Sequence, residues 1–175
     1  GQFGNGNTNS VVTVLTQMTT VPQGKTPQYV SCGYSFTLVV MTDGSIYGCG
    51  QNTYGQLGIG NTIQENNLVR VRGVGGFGLL KNIRQTACST NFHSLFLDNS
   101  GKVYACGNND FGQLGINNTI TQYNPVQVKG VNGNGFLNNI IQISAGGSNS
   151  IFLDTNGNVY ACGSNGGGQL GINST

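Results

Sequence analysis

Apolar residues in this chain form short paired runs, and a turn sequence separates the two runs of each pair. Three blocks share this pattern: FTLVVMTDGSIY from Phe36, HSLFLDNSGKVY from His93 and NSIFLDTNGNVY from Asn149. Asp43-Gly44 and Asn156-Gly157 lie between the runs, and such dipeptides supply the positive φ of a two-residue hairpin turn. Each block therefore predicts a β-hairpin.

Two further strands are predicted around each hairpin. LVRVRG (Leu68 to Gly73) and PVQVKG (Pro125 to Gly130) alternate apolar and polar residues, which indicates an outer strand with one buried face. NIRQTAC from Asn82 and NIIQISA from Asn139 lead into the next hairpin. The pattern predicts about four short antiparallel strands in each period of about 55 residues, and no helix.

The tetrapeptide GQLG occurs once in each period, at 55–58, 112–115 and 168–171, and GQFG begins the chain. We interpret it as a structural turn before the outer strand: Gly55 and Gly58 adopt angles closed to other residues, Leu57 fills a pocket, and Gln56 bonds nearby backbone. The equivalent residues of the other copies carry the same expectation: Gly112, Gln113, Leu114, Gly115, Gly168, Gln169, Leu170 and Gly171.

The fold class expected from this period is all-β, with about three four-stranded units that form either the blades of a partial β-propeller or another all-β repeat array. The repeats divide the chain into the tail of a preceding repeat and three repeats, all within one propeller section. Their expected boundaries are 1–10 for the tail, then 11–67, 68–124 and 125–175.

The block D-G-x-(V/I)-Y-x-x-G-x-N-x-x-G-Q-L-G, from Asp43 to Gly58, resembles the repeat of the regulator of chromosome condensation family. The resemblance implies a seven-bladed propeller, so the chain is expected to be a section of a larger ring. Assembly with other chains that close the ring is the alternative. Cys49, Cys106 and Cys162 stand where the family repeat commonly has an aromatic residue, whereas His93 fits the family's histidine position.

Composition and charge limit the kinds of partner that the chain is expected to bind. Apolar residues make up 37% of the chain, charged residues only 7%, and the net charge is +2. This small net charge does not favour binding to nucleic acid or to an acidic membrane, and no apolar run is long enough to span a bilayer. We therefore expect protein partners, no specific nucleic acid and no membrane span.

No catalytic, cofactor-binding or metal-binding residues are predicted. The five cysteines include no C-x-x-C pair, there is a single histidine, and the three repeat-equivalent cysteines are expected to be small buried residues in strands. We favour a structural hydrogen bond between blades for His93 over a catalytic base, and we expect Asp98 and Asp154 to bond backbone amides in their turns. The odd cysteine count indicates a reducing, intracellular location, whether cytoplasmic, nuclear or cytoskeletal.

Loop residues that differ between repeats are candidates for partner binding. Tyr54, Asp110 and Phe111 precede GQLG, and their rings either anchor a partner or pack locally. Arg70 and Arg72 either form a basic stripe with Lys129 for an acidic partner or protect an exposed outer strand from pairing, which we favour.

Two functions follow. The first is a non-enzymatic propeller that serves as a protein-interaction or scaffold module, as in a large structural complex. The alternative, which rests on the resemblance alone, is regulation of a small GTPase by nucleotide exchange. The founding member of the family does this through loops outside the repeat, and no segment here matches such an insertion.

Overall fold

The computed structural model describes residues 1–6 and 12–172. Eleven short strands form three antiparallel sheets. The first sheet contains β1 (Pro27–Cys32), β2 (Phe36–Met41), β3 (Ile46–Gly50) and β4 (Glu65–Arg70). The second contains β5 (Ile83–Cys88), β6 (His93–Asp98), β7 (Val103–Gly107) and β8 (Gln122–Gln127). The third contains β9 (Ile140–Ala145), β10 (Asn149–Asp154) and β11 (Val159–Gly163).

Within each sheet the strands follow chain order, and each strand pairs with its neighbour in sequence. The first strands of successive sheets, β1, β5 and β9, contact one another, whereas β4 and β8 lie at the outer edges of their sheets. The sheets are therefore two four-stranded units and one three-stranded unit placed side by side, as in the blades of a propeller. The all-β fold class is confirmed.

The core lies between the sheets, and the second sheet is buried on both faces. Phe96 of β6 packs into a cluster with residues of the first sheet, while Leu95 and Leu97 pack against the third. Every residue of β2 and of β6 is buried. This explains why both strands have continuous apolar runs instead of alternating ones.

The hairpin turns differ from the predicted two-residue type. In the first hairpin the Met41 amide donates to the Ser45 carbonyl and the Gly44 amide donates to the Met41 carbonyl, which leaves a three-residue loop. Only Gly44 has a positive φ, of 73°, while Asp43 does not. This is a type I turn followed by a left-handed residue, for which a single glycine suffices. Asp98 and Asp154 accept bonds from backbone amides of their turns, as predicted.

The outer strands lie three residues earlier than predicted. β4 spans Glu65–Arg70 and β8 spans Gln122–Gln127, in place of 68–73 and 125–130. One further bond to β3 follows β4, from the Val71 amide to the Ile46 carbonyl at 3.1 Å, and the Arg72 amide, on the opposite edge, donates to the Gly58 carbonyl at 2.9 Å. The predicted boundary between residues 67 and 68 thus falls within β4, so sheets and sequence repeats are offset. The boundary between residues 10 and 11, and the last three residues of the third repeat, lie outside the described residues.

A candidate protein-interaction face

The two ends of the sheets carry different connections. At one end lie the long segments 51–64 and 108–121 and the short loops 33–35, 89–92 and 146–148. We call this end the loop face. At the other end lie the hairpin turns 42–45, 99–102 and 155–158 and the connections 71–82 and 128–139, and we call this end the turn face.

Three aromatic rings from three different loops meet on the loop face. Tyr54 stacks on Phe92, with ring centres 5.3 Å apart and planes 13° apart. Tyr34 meets the same ring edge-on at 6.1 Å. Tyr34 is 71% exposed and the other two rings are partly exposed. This aromatic cluster joins the first sheet to the second, and it presents ring surface to solvent.

Phe92 has an unusual backbone. Its φ is 63°, a left-handed conformation that is unfavourable for a bulky side chain. Among the described residues only four other non-glycine residues have positive φ, and all four are asparagine. Ser35 and Ser148 occupy the equivalent position in the other repeats, and neither has a positive φ. The strained backbone is therefore specific to the repeat that presents the aromatic ring.

Phe111 holds the position of Tyr54 in the next repeat, but its side chain is 55% exposed. Its repeat-equivalent stacking partner would be Ser148, which has no ring. Asp110 beside it is also exposed, and its amide donates to the Asn108 side chain. Tyr54, Asp110 and Phe111 therefore all lie on the loop face.

Arg70 lies at the turn-face end of β4, away from Tyr54. Arg72 lies beside segment 51–64, because its amide donates to the Gly58 carbonyl. Arg70 is the last residue of β4, and its guanidinium lies over the Tyr47 ring, 5.3 Å from the ring centre. Arg72 follows the strand and is exposed. Arg70 thus occupies an edge strand, where a charge hinders pairing with another chain.

The GQLG turn is held by the asparagine that precedes it. The Asn52 side-chain oxygen accepts the Leu57 amide at 2.9 Å, and the Gln56 side-chain oxygen accepts the Tyr54 amide at 3.0 Å. Gly55 and Gly58 have φ values of 76° and 67°. Leu57 is fully buried in the core between the first two sheets. The second copy has the same bonds, and in the third copy Gln169 is exposed.

The backbone carbonyl of the GQLG glutamine connects each turn to the next sheet. The Gln56 carbonyl accepts a hydrogen bond from the Ser94 hydroxyl at 2.7 Å and from the Cys106 thiol at 3.5 Å. The same pair of bonds occurs for two of the other three copies: Gln2 of GQFG with Thr37 and Cys49, and Gln113 with Ser150 and Cys162. The tetrapeptide thus joins neighbouring sheets as well as forming a turn.

The repeated thiols are unreactive. Burial raises the pKa of Cys49 to about 11 and that of Cys162 to about 12, and it raises the pKa of Cys106 further. A thiol with so high a pKa is a poor nucleophile and a poor metal ligand at neutral pH. Among residues 1–6 and 12–172, no three His, Cys, Asp or Glu side chains converge to hold a metal ion.

His93 links the second sheet to the third. Its Nε2 lies 2.9 Å from the Ser150 hydroxyl oxygen, and that hydroxyl donates its only proton to the Gln113 carbonyl. Nε2 must therefore carry a proton and donate it to Ser150, which leaves Nδ1 unprotonated. Nδ1 is buried without a hydrogen-bond partner. Desolvation lowers the pKa of His93 to about 4, so the ring is neutral at physiological pH.

One buried donor distinguishes the first copy of the turn from the second. Gln56 Nε2 has no partner, whereas Gln113 Nε2 donates to the Asn108 side chain at 3.2 Å. The position of Asn108 is occupied by Gln51 in the first repeat, and its amide instead donates to the Thr53 hydroxyl. Gln51 is one methylene longer than Asn108, so its side-chain oxygen does not lie where it could accept a hydrogen bond from Gln56 Nε2.

Substituting Gln51→Asn is expected to raise the free energy of unfolding by about 1 kcal/mol, because it gives Gln56 the acceptor that Gln113 has. Urea unfolding of the purified protein measures this. The reverse substitution, Asn108→Gln, is the matched control and should destabilise by about the same amount. Equal stabilities of the two variants would contradict this explanation.

Sequence reasoning missed Tyr34 and Phe92, although both lie in short loops that differ between repeats. The three repeats read Tyr34-Ser35, Asn91-Phe92 and Gly147-Ser148 at these positions. The comparison of repeats that selected Tyr54 would also have selected this pair of positions.

Three antiparallel sheets lie side by side, and the GQLG turns of the first and second sheets bond to the sheet that follows. This arrangement defines a β-propeller repeat protein. The regulator of chromosome condensation (RCC1) repeat matches residues 43–97 and 100–153, and a second form of that repeat matches 28–56, 83–113 and 140–169. The chain belongs to the RCC1 repeat family.

Curated relatives are longer than this chain. The ultraviolet-B receptor UVR8 of Arabidopsis thaliana is 31% identical over 98% of the chain, which covers 37% of that protein. The X-linked retinitis pigmentosa GTPase regulator homolog of Caenorhabditis elegans is 32% identical over 85% of the chain and 10% of its own length. The chain therefore spans well under half of either protein.

Solved structures agree on the fold. Human WBSCR16 superposes with a TM-score of 0.70 and 22% identity over 93% of this chain and 40% of that one. Yeast RCC1 (Prp20), in a complex with Kap60, superposes with a TM-score of 0.65 and 21% identity over 79% of this chain and 32% of that one. No helix in the described part of the chain is long and apolar enough to cross a membrane.

Proposed function

We propose that this chain is a non-enzymatic propeller module that binds protein partners through its loop face, as a scaffold within a larger assembly. The partner surface consists of the aromatic cluster of Tyr34, Tyr54 and Phe92, with the exposed Phe111 and Asp110 beside it. Exposed tyrosine and phenylalanine rings held on loops are typical anchors of protein interfaces. Arg70 and Arg72 are not part of this surface.

The observation that carries the proposal is the left-handed backbone of Phe92. Strain of this kind costs on the order of 1–2 kcal/mol and persists where the surroundings fix it. An asparagine here would fold with less strain, as at Asn82 with its φ of 59°. A costly aromatic residue at a partly exposed position supports a role in binding, because the residues at the equivalent positions of the other repeats have no ring.

Phe92→Asn is expected to separate stability from binding. The substitution relieves backbone strain but loses the contacts with Tyr34 and Tyr54, so the free energy of unfolding should change by less than about 1 kcal/mol. Binding should fall at least about tenfold, because an aromatic anchor at the centre of an interface contributes on the order of 2 kcal/mol. Urea unfolding gives the first quantity.

Binding is measured in two stages. Immobilised wild-type and Phe92→Asn proteins are incubated with an extract of the source cells, and proteins that depend on Phe92 are identified by quantitative mass spectrometry. The dissociation constant of the identified partner is then measured for both proteins. Tyr34→Ala should show the same loss, whereas Phe77→Ser, an exposed residue of the turn face, should not. If both aromatic substitutions left the affinity for the partner unchanged, the partner would bind at another surface of the protein.

Regulation of a small GTPase by nucleotide exchange is the second candidate. It is favoured by the nematode relative, a GTPase regulator homolog, and by yeast Prp20p, a structural neighbour with binding properties to Gsp1p. The purified full-length protein would be mixed with small GTPases loaded with labelled nucleotide. Accelerated release that depends on this chain would replace the scaffold proposal with a regulatory one.

We place the protein inside the cell. The support comes from the thiols of Cys49, Cys106 and Cys162, each of which donates to a backbone carbonyl of the preceding turn. All five cysteines are free thiols, which is usual for a protein of a reducing compartment.

A further inference from the structure

The net charge of +2 conceals a strong separation of charge between the two ends of the sheets. All seven Lys and Arg residues lie at the turn face: Lys25, Arg70, Arg72, Lys81, Arg84, Lys102 and Lys129. The charged side chains at the loop face are both carboxylates, those of Asp110 and Glu65. The other three carboxylates lie at the turn face and are engaged locally, Asp43 with Lys25 and Ser45, and Asp98 and Asp154 with their own turns.

The basic end also presents an exposed apolar hairpin between β4 and β5. Arg72 pairs with Leu79 across it, and the Gly73 amide donates to the Gly78 carbonyl at 3.0 Å. Phe77, near the tip, is 86% exposed, and Val74 and Leu79 are nearly half exposed. We call residues 72–79 the apolar hairpin.

The next repeat builds a second hairpin of the same design. Lys129 pairs with Phe136, and the Lys129 ammonium lies 4.6 Å from the centre of that ring. Val131 is 60% exposed and Phe136 is 48% exposed. Exposed apolar side chains beside cationic ones therefore recur at the same place in successive sheets.

We propose that the turn face docks on an anionic phospholipid bilayer, with the apolar hairpin inserted among the lipid headgroups and the surrounding Lys and Arg residues against the phosphates. Basic residues near an anionic leaflet and apolar side chains buried at its surface reinforce each other. A nucleic acid or an acidic polypeptide would match the charge but would leave Phe77 in water.

Vesicle co-sedimentation of the purified full-length protein tests the proposal. We expect binding to phosphatidylcholine vesicles that contain phosphatidylserine, weak binding to phosphatidylcholine alone, and release at high salt. Phe77→Ser should weaken binding about tenfold by removing the inserted ring. The double substitution Arg72→Gln with Lys81→Gln should weaken it more than tenfold, since each basic residue near the surface contributes about fivefold.

Ile120→Ser is the matched control, because it removes an apolar side chain that is 65% exposed, but on the loop face. It should leave vesicle binding unchanged. No binding to phosphatidylserine vesicles would overturn the proposal. Vesicle binding that Phe77→Ser does not weaken would also overturn the proposal. If the protein then bound duplex DNA or polyglutamate equally well, the turn face would be a general anion-binding surface.

Discussion

Replacing Gly107 with alanine is expected to lower the free energy of unfolding by about 4 kcal/mol, the largest effect that we expect from a single substitution. Gly107 ends β7 with a φ of 103°, a backbone conformation that L-amino acids with side chains rarely adopt. A Cβ atom would overlap the Phe92 carbonyl oxygen and lie 2.8 Å from the His93 Cα. Both neighbours are backbone atoms beside the paired strand β6, so they cannot move without disturbing the sheet.

Urea unfolding of the variant measures this loss. Gly166→Ala is the control, because that glycine has no positive φ and an added Cβ would meet nothing within 4 Å. Its unfolding free energy should stay within about 0.5 kcal/mol of the wild type. Equal stability of the two variants would mean that the end of β7 rearranges freely to accept a side chain.

Gly107 also shows why the fold could be predicted from the sequence. Glycines with the same backbone recur at Gly50 and Gly163, with φ values of 102° and 110°. Each repeat therefore requires a glycine at this position, and the three glycines can be recognised from the sequence alone. The hairpins, the GQLG turns and the burial of Leu57 and Leu114 follow from repeated local chemistry of this kind.

The outer strands were harder to place, because their first residues are polar. β4 begins Glu65-Asn66-Asn67, a sequence with no apolar alternation. It pairs with β3 on one side, and on the other side the Asn66 carbonyl accepts from the Gly6 amide and the Leu68 amide donates to the Thr20 hydroxyl. The alternation of Val69 and Val71 indicated a strand that continues past Arg70. Pairing with β3 ends at the bond from the Val71 amide to the Ile46 carbonyl, and the Arg72 amide, on the other edge of the chain, donates to the Gly58 carbonyl of the preceding loop.

The aromatic cluster could not be predicted from local sequence. Tyr34, Tyr54 and Phe92 lie in three separate loops, and they meet only because the first two sheets pack side by side. Nothing in the residues around Phe92 requires a left-handed backbone there. A sequence pattern reports what neighbouring residues favour, whereas a binding surface depends on which loops the packing of sheets brings together.

Acidification is expected to destabilise the protein by about 3 kcal/mol through His93 alone. In the unfolded chain this histidine has a pKa of about 6.5, and burial lowers the pKa in the folded protein to about 4. Below pH 6.5 the unfolded state therefore binds a proton that the folded state does not. The free energy of unfolding must fall as the pH decreases from about 6.5 to about 4.

His93→Gln removes this dependence. A glutamine has an amide donor that can replace Nε2 in its bond to the Ser150 hydroxyl, but it does not titrate. Urea unfolding of both proteins is measured between pH 7 and pH 4. The difference between their free energies of unfolding should shift by about 3 kcal/mol in favour of the variant over this range.

Carboxylates also titrate in this range, and hydrogen bonds from Asn158, Tyr160 and Asn156 lower the pKa of Asp154. Its stabilising effect is lost as the pH falls through the folded-state pKa, but equally in both proteins, so the difference between the two curves reports on His93. Parallel curves would mean that the folded protein accepts the proton at Nδ1, which would require solvent to reach the interface between the second and third sheets. A converging pair of curves would instead establish that this interface stays dry and that the neutral ring, donating through Nε2, is the form that joins the sheets.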